Sequence, residues 1–600
     1  MSVNWSASQK KAWADQRLDA ELREGCARAL ADLGVDNATP SLAITNKPEL
    51  AGAGDYQLNN AFALAKALKK APNALAQELA AAVSKQLRGV AAATAVGGFV
   101  NIRLLDAWLM KKTLAGAEGS LFGVAPDVRA IVDYSSPNCA KRMHAGHLRS
   151  TVIGDAICAL LEKSGASVTR VNHLGDWGTP FGVIIEQAQA DGVDLRAATI
   201  AQMEAVYKRG SPRFKEDAAF AQACRASTAA LQAGQEPQAG LWRTIRDKTL
   251  DEIQSIYDLL GIGLSKANAV GESFYQPMIP ETLKQLAAAG VVRESEGVLA
   301  FFGSFEAPLL LAKSQASGGG YLYGATDAAA LKTRAQSGAN LLVYVVDERQ
   351  SEHFKLLFEL GEKAGWLGEG KPQAVHAPFG MMLDATGKPF KTRSGEAFAL
   401  SDLVQEAIDR ARALAREKAP DAPEAKIQEL GRQTGVGALK YGDLSRTRTS
   451  AVKFDLDALV SLEGDTAPYL QYARVRAYSI LQKAVQAPVG PDRTANAADF
   501  AFANAAERKL ALEIARAKDG AIDATVELMP HLLCERLYGL TQAMNAFYAH
   551  CPVIDDATGL ADPFRVRLCE GVDSILSKGL SALGIESPTS MPKSAPKMAL

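Results

Sequence analysis

Arg129-Ala-Ile-Val-Asp-Tyr134 is a short apolar run with the length and composition of a strand buried on both faces. Downstream, apolar residues fall at Leu148, Val152, Ile153, Ala156, Ile157 and Leu160, the spacing of one helical face running on to Lys163. Gly165 then stops the helix in the way a left-handed cap residue does, and Ser167-Val-Thr-Arg-Val-Asn-His173 reads as the next strand. Strand, helix and strand make a βαβ unit, whose natural host is a parallel, doubly wound sheet.

Working outward, residues 9–33 and 60–87 carry Ala and Leu at helical spacing, and residues 98–102 form a short β-like run, together a small α/β domain. From Val183 to about Ala300 the pattern is mostly helical; strand-like runs return at residues 341–346 and near 379–383. This predicts an insertion inside a split nucleotide-binding sheet. Beyond Ala399 nearly everything reads as helix, including residues 402–418, 467–485 and 505–528, with a Pro- and Gly-bearing break at residues 488–491. The expected division is an amino-terminal domain over residues 1–112, a catalytic domain over 124–400 with its insertion around 185–300, a helical linker over 401–460, a helical domain over 461–592, and a loose tail over 593–600.

The chain has 600 residues, 48% of them hydrophobic, and a formal net charge of −1. That length suits several packed cores. A near-zero charge neither indicates nor excludes an RNA partner, because clustered Lys and Arg on one face can coexist with a neutral total. The seven cysteines are scattered, with no C-x-x-C pair, so neither a disulfide framework nor a zinc knuckle is expected. The amino terminus lacks a basic patch followed by an apolar run, and no segment approaches the roughly 20 apolar residues that cross a bilayer. A soluble, cytoplasmic, monomeric protein is expected.

His144-Ala-Gly-His147 stands between the first strand and its helix. Unpaired backbone N–H groups and the helix dipole favour a phosphate at such a junction, and imidazoles there can donate hydrogen bonds to it. Gly146, lacking a Cβ, allows backbone or a base to approach closely. Surface or metal-binding histidines are the plainer reading of the tetrapeptide alone. Its context favours phosphate: Lys141-Arg142 supply cations, Asp133-Tyr-Ser-Ser-Pro-Asn138 precedes it, and Asn172-His-Leu-Gly-Asp-Trp-Gly178 closes the next strand.

The run from Asp133 to Gly182 resembles the first half of the catalytic domain of class I arginyl-tRNA synthetases. Further segments follow in that family's order: Tyr323-Gly-Ala-Thr-Asp327, Arg349-Gln-Ser-Glu-His353, Gly387-Lys-Pro-Phe-Lys-Thr-Arg-Ser394 and Ala467-Pro-Tyr-Leu-Gln-Tyr-Ala-Arg474. The resemblance covers nearly the whole chain. It implies a Rossmann-like class I catalytic domain with a helical insertion, a small α/β domain before it and a helical anticodon-binding bundle after it. It also implies activation of L-arginine by ATP with Mg2+, and transfer to the terminal ribose of tRNA(Arg). By the same resemblance His144, His147, Lys388 and Lys391 are catalytic, and Lys141, Gly146, the two histidines and His376 bind ATP. Asp133, Asn138, Tyr323, Asp327 and Gln350 line the amino-acid pocket. A forked guanidinium does call for a carboxylate, and Tyr323 and Asp327, four residues apart, share one face of a helix.

Two departures from the family pattern stand out. The second signature loop usually has two lysines within five residues; here Lys391 is followed by Thr392, Arg393 and Ser394, which leaves open which of Lys388, Lys391 and Arg393 touches phosphate. Pro180 stands where the family commonly has Gln. The resemblance also places Tyr56 and Asn101 against the elbow of the tRNA, and Arg474 and Arg476 on a helix of the bundle, where phosphate and solvent are equal alternatives. Two competing readings are a non-catalytic RNA-binding paralogue and another class I synthetase. The first should have lost the phosphate-handling residues; the second, if cysteine-specific, should carry a zinc site.

Overall fold

The computed structural model describes residues 3–36, 38–45, 54–314, 320–388 and 398–591. Lys391, Arg393 and the tail expected over 593–600 lie outside them. The parallel sheet predicted from the βαβ unit is present. Its strands, in spatial order, are Gln373–His376, Leu341–Tyr344, Arg129–Asp133 and Ser167–Val171, all parallel. Alternate residues of these strands enter two different cores. Ala130, Val132, Leu341 and Val343 pack beneath the helix His147–Lys163 and the carboxyl-terminal bundle, while Ile131, Leu342 and Tyr344 pack on the helices Tyr323–Ala335 and Ser351–Lys363. Burial on both faces is why the two central strands, Leu341–Tyr344 and Arg129–Asp133, read as apolar runs rather than alternating ones.

Between the second and third strands in sequence, the insertion runs through helices from Thr179 to Ala288. It then ends in a three-stranded antiparallel sheet, Arg293–Ser295, Val298–Phe301 and Leu309–Lys313. The helical reading of residues 183–300 missed this sheet, because strands of three to five residues are too short to show a period. Pro180 sits in the first turn of the helix Thr179–Asp191, where a missing N–H costs nothing and the fixed φ suits the entry.

The amino-terminal domain is a four-stranded antiparallel sheet, in the order Leu42–Ile44, Tyr56–Leu58, Phe99–Leu104, Ala91–Val96, with helices packed around it. The stretches read as helical, 9–33 and 60–87, each hold a pair of helices: Ala7–Asp15 with Ala20–Asp32, and Asn60–Ala65 with Pro72–Gln86. After the sheet domain come two packed helices, Leu400–Lys418 and Glu424–Leu444, and a bundle of Ala467–Ala484, Ala505–Val526, His531–His550 and Pro563–Ala582. The amino-terminal domain docks on that bundle. Arg508 donates to both carboxylate oxygens of buried Asp55 at 2.8 and 2.7 Å, and Thr113 donates to the Ala511 carbonyl. No described helix is long and apolar enough to cross a membrane.

Candidate active site

A cavity of about 1000 Å³ opens at the carboxyl ends of the parallel strands, lined by Asp133, Ser135, His173, Val345 and Phe379 from the segments that leave them. Ligands of open α/β sheets bind on this side, where the chain crosses between strands. A cleft of about 1200 Å³ at the opposite, amino end of the strands is lined by Trp5, Asp127, Asn340 and Lys371 and gathers none of the predicted site residues.

One end of the cavity holds the histidine pair. His147 is the first residue of its helix, with Gly146 as the cap. The Nδ1 of His147 accepts the backbone N–H of His144 at 3.0 Å, which leaves the ring proton on Nε2. Burial pushes His147 down to about 3, with the His144 ring adding to the effect; burial and then Arg349 lower His144 as well. The rings lie 3.8 Å apart. The turn thus presents neutral imidazoles, able to donate hydrogen bonds without carrying charge. A Cβ on Gly146 would stand 3.1 Å from the His144 ring, so this glycine makes room for its neighbouring histidine rather than for a base. The approach to the turn is held in a backbone conformation that few residues adopt: Ser135 and Ser136 have φ of 72° and 45°. Their amides are fixed by Ser150 Oγ and Asn172 Oδ1 at 2.9 and 3.0 Å.

Asp133, Asn138, Tyr323, Asp327 and Gln350 all line the same cavity. Gly175 is what lets Asn138 in, since a Cβ there would stand 2.1 Å from Asn138 Oδ1. Asp133 is not a free carboxylate. Arg334, itself buried, donates to it at 2.8 Å and also contacts His173 Nδ1 at 3.2 Å, so the Asp133 charge is already compensated. Asp327 Oδ2 accepts from His353 Nε2 at 2.7 Å. Glu272 also lines the cavity, and burial, then the charge of Asp327, push its carboxyl up to about 8. Arg334, His353 and Glu272 were not singled out as site residues from sequence. Glu272 opens a four-residue helix, Glu272–Tyr275, deep in the insertion, where neither periodicity nor a motif marks it.

Other predicted residues lie off the cavity. Lys141 turns its ammonium over the Tyr207 ring, 4.8 Å from its centroid. His376 is buried beneath the cavity, bonded to the Val346 carbonyl at 3.0 Å and stacked on Phe354; burial lowers it to about 4. It supports the lining rather than forming it. Lys388 is exposed on the turn after Met382–Asp384, its amide held by Asp384 at 3.0 Å. Tyr56 and Asn101, expected against the tRNA, are buried: Tyr56 lies under the Arg516 guanidinium, and Asn101 accepts from Gln57. The exposed aromatics of that domain are Phe62 and Phe99, which pack edge to face. Arg474 is tied to Asp573 at 3.0 Å, and Arg476 to Asn545 while lying over Tyr472 and Tyr548.

Family profiles match almost the whole chain in three consecutive pieces. They are an arginyl-tRNA synthetase amino-terminal domain over residues 20–104, a catalytic domain of class I tRNA synthetases (R) over 119–456, and a DALR anticodon-binding domain over 470–591. The arginine–tRNA ligase of Alteromonas mediterranea is 37% identical over 574 residues, covering 93% of this chain and 97% of the relative. The chain belongs to the arginine–tRNA ligase family. The ligase of Escherichia coli is 38% identical over 547 residues, 89% of this chain and 93% of the relative. Solved arginyl-tRNA synthetases agree in fold. That of Plasmodium falciparum superposes with a TM-score of 0.77 at 26% identity over 98% of this chain and all of its own, and that of Thermus thermophilus with 0.76 at 26% identity over 95% and 99%. In this ligase the cavity described above therefore lies in the matched catalytic domain.

Proposed function

We propose that the ligase activates arginine and charges tRNA(Arg) in this one cavity, with a division of labour between its ends. ATP lies with its phosphates at the helix start. His144 and His147 donate hydrogen bonds to the α-phosphate as the arginine carboxylate attacks it, and pyrophosphate leaves toward the loop bearing Lys388 and Lys391. The arginyl group then passes to the terminal ribose of the tRNA. No protein nucleophile is needed; catalysis is positioning plus stabilisation of developing charge. Two further carboxylates of the cavity are engaged, Asp133 by Arg334 and Asp347 by Arg349, so Mg2+ would be carried by the phosphates of ATP rather than by a cage of side chains.

The observation that carries the arginine reading is the pair of carboxyl groups, Asp327 and Glu272, in the lining of the cavity and close enough that the charge of Asp327 acts on Glu272. A planar guanidinium offers donors to two carboxylates at once, whereas an ammonium is a point charge that leaves acceptors unpaired. The anticodon-binding bundle and the exposed Phe62–Phe99 pair of the amino-terminal domain are the surfaces we assign to tRNA, and the enzyme would act as a monomer in the cytoplasm. The assignment of ends is tested by paired kinetics. Asp327→Asn should raise KM for arginine at least tenfold, while His147→Ala should lower kcat by roughly 100- to 1000-fold with KM for arginine little changed. Similar changes in both parameters for both variants would remove the division of labour.

A further inference from the structure

Asp327 sits in the second turn of the helix Tyr323–Ala335, with its carboxylate only partly shielded from solvent. A carboxylate in that setting samples several rotamers, and ordering it costs part of the binding energy a ligand could supply. One contact restrains it. His353, on the adjacent helix Ser351–Lys363, reaches Asp327 Oδ2 with Nε2 at 2.7 Å. The imidazole is held in turn by the edge of Phe354, with ring centroids 5.5 Å apart and planes at 86°. Phe354 is buried and stacked on His376, so the chain of contacts ends in the core.

We propose that His353 is a positioning residue for arginine selection: it occupies Oδ2 of Asp327 and thereby turns Oδ1 toward the guanidinium. This deepens the reading of Asp327 as a guanidinium partner and rests on it. With Oδ2 engaged, Asp327 offers the substrate one free oxygen rather than a symmetric fork. A second carboxyl group is then needed to satisfy the remaining guanidinium donors, and Glu272 lines the same cavity. The arrangement suits a group with donors on several edges of one plane. Lysine, or the neutral urea of citrulline, would leave one of the two carboxyl groups unmatched.

The test is a double-mutant cycle on the full-length enzyme, read as KM for arginine, KM for ATP and kcat. His353→Leu should raise KM for arginine by about tenfold, with KM for ATP unchanged and kcat within about threefold, because one charge-assisted hydrogen bond to a carboxylate is lost. His353→Gln, which keeps a donor near the Nε2 position, should restore KM to within about threefold of the parent. His353→Leu combined with Asp327→Asn should be no worse than Asp327→Asn alone, since the histidine acts through the aspartate. Additive effects in the double variant, or a loss in which KM for ATP rises and kcat falls as well, would overturn the proposal. If Asp327→Asn itself leaves KM for arginine unchanged, the pocket reading falls and this one with it. An effect of Asp327→Asn without an effect of His353→Leu overturns the positioning role alone.

Discussion

Glu272 and Asp327 set a pH dependence that belongs to single residues. The Glu272 carboxyl, pushed up to about 8 by burial and by Asp327, is largely protonated at pH 7 in the free enzyme. A bound guanidinium favours the ionised form, so arginine must displace that proton. Below pH 8 the apparent affinity should strengthen as pH rises, by at most about tenfold per unit, and it should level off above. KM for arginine measured from pH 6.5 to 9 checks this, and Glu272→Gln should flatten the profile. His147 behaves differently. It is held neutral throughout this range, so kcat should show no ionisation attributable to it near 6.5, the ordinary value for histidine.

At the scale of elements, the helix His147–Lys163 is the piece on which the phosphate end depends. Arg149, two residues into it and wholly buried, donates to Asp443 at 2.9 Å and to the carbonyls of Gly380 and Ser450 at 2.7 and 2.8 Å. One guanidinium thereby ties the histidine-bearing helix to the segment that leads into Met382–Asp384 and to the helix Glu424–Leu444. Arg149→Met would leave Asp443 buried without its cation, and urea unfolding should show a loss of about 3–5 kcal/mol; replacing both residues with apolar ones should recover part of it. Strand, helix and strand around this element were legible in the sequence because the strand Arg129–Asp133 and the helix His147–Lys163 are largely buried and Gly165 bounds the helix and the strand that follows. The histidine pair was legible because its spacing is compact. Glu272 was not, since a lone carboxylate on a four-residue helix has no pattern, and Arg334 looked like an ordinary basic residue near a helix end. The burial of Tyr56 was not legible for a related reason: an aromatic on a short strand reads equally as a docking face or a core, and here the partner that covers it, Arg516, lies 460 residues away in sequence.

For the whole molecule, the amino-terminal domain packs on the bundle through buried charges. Asp55 is pushed up by burial but pulled below the ordinary carboxylate range by the Arg508 hydrogen bonds and charge. Arg508→Met should therefore loosen the amino-terminal domain, costing on the order of 3 kcal/mol. It should raise KM for tRNA several-fold without changing KM for arginine, and increased protease cleavage before residue 112 would report the same loosening. The family membership and the cavity meet in one assay, exchange of labelled pyrophosphate into ATP with each of the twenty amino acids in turn, in the presence and absence of tRNA(Arg). Exchange driven by arginine and by no other amino acid is the predicted result, and comparable exchange driven by lysine or any other amino acid would contradict the two-carboxylate account of the pocket.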